Sequence, residues 1–229
     1  MVSTRATTNG STTSAKKASS RHGASNPRFR HKIPPMFIIW LTISLPLVMW
    51  DTGYIFLRPH SMPGGKYHVP IWKPYALYGS VDYVYGWPAW DSHSGFTAAQ
   101  ASLNVAETLM YLYYMVVVWG SEAKALYGFE SVGTLFYGNH EKVVVGEGMA
   151  KAVLVLFSAL VMTISKTVLY WLNEYFSGFA GIGHNSAWNL FWLWILPNGL
   201  WLIFPTYMLV LLGNELVAGL DGGPDEKEE

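Results

Sequence analysis

The 229-residue chain has no cysteine. Disulfide frameworks, thiolate nucleophiles, Cys-ligated zinc and iron-sulfur clusters are therefore excluded. Charge is scarce too: 13% of residues are Asp, Glu, Lys or Arg, about half the share usual in a soluble domain. Basic and acidic side chains balance at 15 each, which argues against a nucleic-acid surface. What is abundant is apolar, with 51% hydrophobic and 16% aromatic residues. This composition describes an all-α integral membrane protein with one compact bundle.

The gaps between charges locate the spans. Ile33 to Trp50 is a run of 18 uncharged residues, and after Asp51 the apolar pattern resumes to Leu57. That length suits the ~20 residues needed to cross about 30 Å of hydrocarbon. A second run is interrupted only by Glu107 and a third, beyond Lys151, only by Lys166, and the longest uncharged stretch is Tyr175 to Asn214. The expected transmembrane helices are 36–57, 99–120, 150–172 and 188–213, within a domain spanning 33–216. The first lies too far along the chain, and is too long, to read as a cleaved signal peptide.

Residues 1–32 hold seven of the fifteen Lys and Arg among Ser, Thr, Ala and Asn, without apolar periodicity. They are expected to form a disordered basic tail, cytosolic by the positive-inside rule, and residues 217–229 an acidic tail on the same side. The segments 58–98 and 173–187 then fall in the lumen, and 121–149 in the cytosol. The acceptor sequence Asn9-Gly10-Ser11 would carry glycan only if this sidedness were reversed. Trp72, Tyr75, Tyr78, Tyr83, Tyr85, Trp87 and Trp90 crowd the first luminal segment. They suit either a lid over the helix ends or a plain interfacial belt.

An ionisable group in hydrocarbon needs a partner, a wet cavity or a task. At 1.5 Å per residue, Asp51, Glu107, Lys166 and Asn198 fall in the same half of the bilayer when the helices are read antiparallel. Asn104, Glu107 and Tyr111 share a helix face by their spacing, as do Asn198 and Trp201. Pro46, Pro197 and Pro205 each remove a backbone hydrogen bond and can open or kink the helix beside this layer. Lys166 has three readings: a pair with Asp51, a pair with Glu107, or snorkelling to the interface. Two carboxylates against one amine leave a surplus acid. A carboxyl that keeps its proton in a low-dielectric site can donate it while an ionised neighbour accepts, and an indole face can stabilise a cation formed there.

Five segments resemble the emopamil-binding protein family, whose EXPERA domain is shared by the sterol Δ8-Δ7 isomerase and the sigma-2 receptor. They are Trp50 to Phe56, Trp72-Lys73-Pro74-Tyr75 with Asp82-Tyr83, Glu107-Thr108, Val168 to Glu174, and Asn198 to Pro205. The resemblance covers roughly residues 36 to 214. It implies a four-helix EXPERA bundle in the endoplasmic reticulum membrane, with Asp51 and Glu107 as catalytic acid and base. It places Asn198 and Trp201 at the substrate, where Tyr111, Asn104 and Lys166, read from spacing and depth, and Thr108 beside Glu107 would join them, although Lys166 stands where the family has a small residue. Leu47 stands where the isomerase has a His, and Met110 where it has a Thr.

The expected function is isomerisation of a sterol or isoprenoid alkene by proton addition and loss through a carbocation. Such a redox-neutral step needs no cofactor and no metal. The alternative is a non-catalytic sterol- or amine-binding protein similar to the sigma-2 receptor. The bilayer and a sterol or isoprenoid lipid are the expected partners, nucleic acid is not, and a homodimer is compatible with the sequence.

Overall fold

The computed structural model describes residues 29–120, 142–145 and 148–221. The expected basic tail to residue 28, the Asn9 acceptor, residues 121–141 and the acidic residues 222–229 lie outside them. The described elements are β1 (Arg30–Ile33), α1 (Pro35–Phe56), α2 (Tyr75–Val81), α3 (Trp87–Asp91) and α4 (Phe96–Gly120). Then follow β2 (Lys142–Val145), α5 (Met149–Phe176), α6 (Ala187–Leu190), a π-helical turn (Phe191–Ile195) and α7 (Leu196–Leu220).

Four helical segments are long and apolar enough to cross a membrane: Pro35–Phe56, Phe96–Val118, Met149–Phe176 and Ala187–Leu220. Each overlaps an expected span, the third and fourth running several residues further. The protein is therefore multi-pass in architecture, and mostly helical. α5 packs against both α4 and α7, and α1 packs against α4. Consistent with its central place, α5 has the largest buried share of the four. Large apolar side chains such as Ile43, Leu109, Val116, Leu154, Ile203 and Val210 point outward on all four, as a helix bathed in lipid requires.

Local chemistry sets the ends. Pro35 occupies the first turn of α1, where its missing N–H is no loss. Ser186 caps α6 by accepting from the Asn189 amide at 3.3 Å. Pro197 at the start of α7 cannot donate to the carbonyl one turn back, and the wider π-helical turn immediately precedes it.

Two features depart from the sequence expectations. Residues 30–32, expected in the tail, belong to the strand Arg30–Ile33, paired antiparallel with β2 in the register Arg30 to Val145 through Ile33 to Lys142. α7 also continues to Leu220, so helix takes over the first residues assigned to the acidic tail. The strand is stapled to α7: His31 is fully buried, its Nδ1 lies 2.9 Å from Glu215 Oε1, and its Nε2 lies 2.7 Å from the Tyr114 hydroxyl.

At the opposite end, the 57–95 segment folds over the bundle. α2 and the following turn approach closely enough that a Cβ on Gly86 would lie 2.3 Å from the Gly79 carbonyl oxygen, so a glycine is needed there. The turn joins the α5–α6 connection through Tyr83 N–H to Gly181 O at 3.1 Å and Asn185 Nδ2 to Val81 O at 2.7 Å.

Candidate functional site

A cavity of about 410 Å³ opens where α1, α4, α5 and α7 meet the folded-over segment. Its size is within the range of lipid and cofactor sites. Asp51, Asn104, Lys166, Asn198 and Trp201 line it, each from the helix expected to carry it. So do Trp50, Tyr75, Tyr78, Tyr85 and Tyr170, which make the wall largely aromatic. The crowded aromatic segment is thus a lid over the helix ends, because three of its tyrosines reach the cavity.

Asp51 sits at the last turn but one of α1. Its Oδ1 accepts from the Tyr75 hydroxyl at 2.6 Å and its Oδ2 from the Tyr85 hydroxyl at 3.4 Å. Burial, followed by the nearby Asp51 charge, pushes both phenols above their ordinary range, so they remain donors. Around them the rings form a continuous stack. Tyr54 lies face to face with Tyr75 at 3.8 Å, and Trp50 sits 4.9 Å from Tyr75.

Glu107 has different surroundings. It is 2% exposed and does not line the cavity. Its Oε2 accepts from Lys166 Nζ at 2.9 Å and from Thr163 Oγ1 at 2.7 Å, while Oε1 has no partner. Of the three readings for Lys166, the pair with Glu107 is the one found. Lys166 also donates to Asn104 Oδ1. Tyr111 shares the face of Asn104 and Glu107, as its spacing predicts, but its hydroxyl meets Thr163 Oγ1 at 2.8 Å behind the wall. Thr108 does not line the cavity either. Leu47 does, placing an aliphatic side chain on the wall; Met110 packs against the apolar core instead.

The π-helical turn delivers the fourth wall. Asn198 Nδ2 donates to Trp194 O at 2.8 Å, one turn back, which fixes the amide beside the cavity. Trp201 packs edge-on against Trp40 of α1 at 5.1 Å, fixing its ring between two helices.

Sequence reasoning gave Asp82 no role of its own, yet it is fully buried. Its carboxylate accepts from the Tyr170 hydroxyl, from Trp194 Nε1 at 2.8 Å and from the Val84 amide at 3.1 Å. One side chain thereby ties the lid to α5 and to the π-helical turn. Burial pushes its carboxyl up to about 6, against the opposing pull of Tyr170, Trp194 and Val84. An acid in a connection between spans gives no sequence signal of burial, because only the folding-over of the segment encloses it.

No family model matches the chain, and neither a curated protein nor a solved structure is significantly similar to it. The cavity has one carboxyl group on its wall, a charge-balanced Lys–Glu pair with the amine facing in, the amides of Gln100, Asn104 and Asn198, two threonines, and otherwise indole, phenol and aliphatic side chains. That arrangement can hold a bulky apolar molecule with few polar groups, exchange a proton with it, or hold a cation against aromatic faces.

Proposed function

We propose that the chain is a bundle of the EXPERA type in the endoplasmic reticulum membrane that moves a double bond in a sterol or isoprenoid lipid. The observation that carries this reading is Asp51, a phenol-held carboxyl on the wall of an otherwise aromatic cavity. Asp51 in its protonated form gives its proton to one alkene carbon, breaking the carboxyl O–H, forming a C–H bond and leaving a carbocation at the other carbon. Loss of a proton from the adjoining carbon back to the carboxylate places the double bond one bond along and restores the acid. Nothing is oxidised or reduced. Trp50 and Trp201 offer indole faces to the transient cation. Asn198 orients the substrate, and Glu107 acts through Lys166 as a positioning residue, because it stands behind the wall.

Complementation of cells lacking sterol Δ8-Δ7 isomerase, with sterol profiling by mass spectrometry, tests the reading. Wild type should restore the shifted sterol, and Asp51→Asn should lower the rate about 100-fold or more, the range for loss of a general acid–base group. An unchanged sterol profile would sink it.

One observation favours a second reading, a binding protein for hydrophobic amines. Asp51 lies among the rings of Trp50, Tyr75 and Tyr85, a combination that also suits a ligand ammonium. Leu47 at the wall removes one proton-handling group from the isomerase pattern. Tight binding of a hydrophobic amine, lost in Asp51→Asn, with no change in sterol profile would decide for it.

A further inference from the structure

The α4–α5 wall of the cavity carries donors that no step of the proton transfer takes up. Lys166 and Asn104 both line the cavity and are both largely buried. An ammonium has three N–H donors and no acceptor, and a primary amide has two N–H donors and one carbonyl oxygen. Lys166 directs one donor to Asn104 Oδ1 and another to Glu107 Oε2 at 2.9 Å. The amide cannot be turned over, since that would set its NH₂ against the ammonium. The carbonyl of Asn104 is thus engaged by Lys166. One ammonium N–H and two amide N–H groups remain, and no described residue supplies an acceptor for them. Glu107 Oε1 does not serve, since it has no partner. This corner of the cavity is rich in donors, whereas Asp51 is an acceptor on another helix.

We propose that Lys166 and Asn104 form a subsite for an oxygen of the ligand, a hydroxyl or ketone on a sterol or isoprenoid skeleton. It selects oxygenated lipids over hydrocarbons of the same shape. The proposal rests on the reading that the cavity holds such a lipid, and it adds which end of the lipid lies against α4 and α5. A buried donor left without an acceptor costs binding energy, so a hydrocarbon pressed against this corner is rejected. An ammonium is repelled by Lys166, so an amine ligand would set its charge at Asp51 instead.

The test uses the full chain in detergent micelles. Trp50, Trp192 and Trp201 line the cavity, so energy transfer from tryptophan to a fluorescent polyene sterol reports occupancy. Cholestane, cholestanol and cholestanone then compete for the site. Wild type should prefer cholestanol or cholestanone to cholestane by about tenfold or more, the usual worth of a hydrogen bond to a charged donor. The double variant Lys166→Met with Glu107→Gln removes the charge pair together, so no lone buried charge is left. It should bring the three competitors within about twofold of one another while cholestane binding is retained. Asn104→Leu, which keeps the ion pair, should lower the preference partway. Equal binding of all three by wild type, or a preference that survives in the double variant, overturns the subsite. Failure of every sterol to bind overturns the lipid cavity itself, and the subsite with it.

Discussion

Asp51 and Glu107 are carboxyl groups within the spans, and their neighbours give them different tasks. Asp51 meets phenols and the cavity; Glu107 meets Lys166 and Thr163 behind it. Removing one member of a buried ion pair costs about 3–5 kcal/mol, because the other charge is left unpaired. Glu107→Gln should therefore lower the thermal midpoint of the micellar protein sharply, and adding Lys166→Met should recover most of the loss. A Glu107→Gln protein as stable as wild type would show that the pair does not hold α4 to α5. Asp82 gives a pH prediction. Its folded value near 6 lies above the ordinary 3.8, so the folded state takes up the proton more readily than the unfolded state. Its favourable contribution is fully present below about pH 4 and is lost as pH rises through about 6. Relative to Asp82→Asn, wild type should lose thermal stability between pH 4.5 and 7, as followed by circular dichroism. A difference that stays flat across that interval would contradict the assignment.

The segment leading into α7 is where an irregular element matters most. A regular helix would aim the Pro197 ring at the carbonyl of Leu193. The π-helical turn over Phe191–Ile195 relieves that conflict, and both Leu193 and Trp192 end at the cavity. Pro197→Ala removes the reason for the wide turn and allows it to tighten, which rotates Trp192 and Leu193 relative to Asn198. The expected result is a loss of sterol affinity of about tenfold in the tryptophan energy-transfer assay, with only a few degrees of change in thermal midpoint. Equal affinity would mean that the turn is held by its packing alone.

For the whole molecule, two sets of contacts define two ends. β1, β2 and the end of α7 meet through the strand pairing and His31–Glu215. The lid and the α5–α6 connection meet at the other end. β1, β2 and the end of α7 therefore share one side, which the positive-inside rule predicts to be cytosolic. Glycosylation mapping checks this. Gly64 is in the left-handed region with open space around it, a conformation Asn tolerates. Gly64→Asn with Lys66→Thr should create a glycosylated acceptor, while Asn9 stays unmodified. Glycan at Asn9 would invert the arrangement.

Spans, their polar layer and the helix that carries each polar residue were all legible in the sequence. An 18-residue gap between charges or a lone Lys in an apolar run is a one-dimensional signal, set by the solvent the segment must match. Face-sharing was legible too, because Asn104, Glu107 and Tyr111 follow the helical period. Which acid faces the cavity was not, since Asp51 and Glu107 look alike until α5 brings Lys166 to one of them. Nor was the burial of Asp82, the closing of the lid, or the pairing of β1 with β2. These depend on contacts between residues tens of positions apart, and only the packing of the helices decides them.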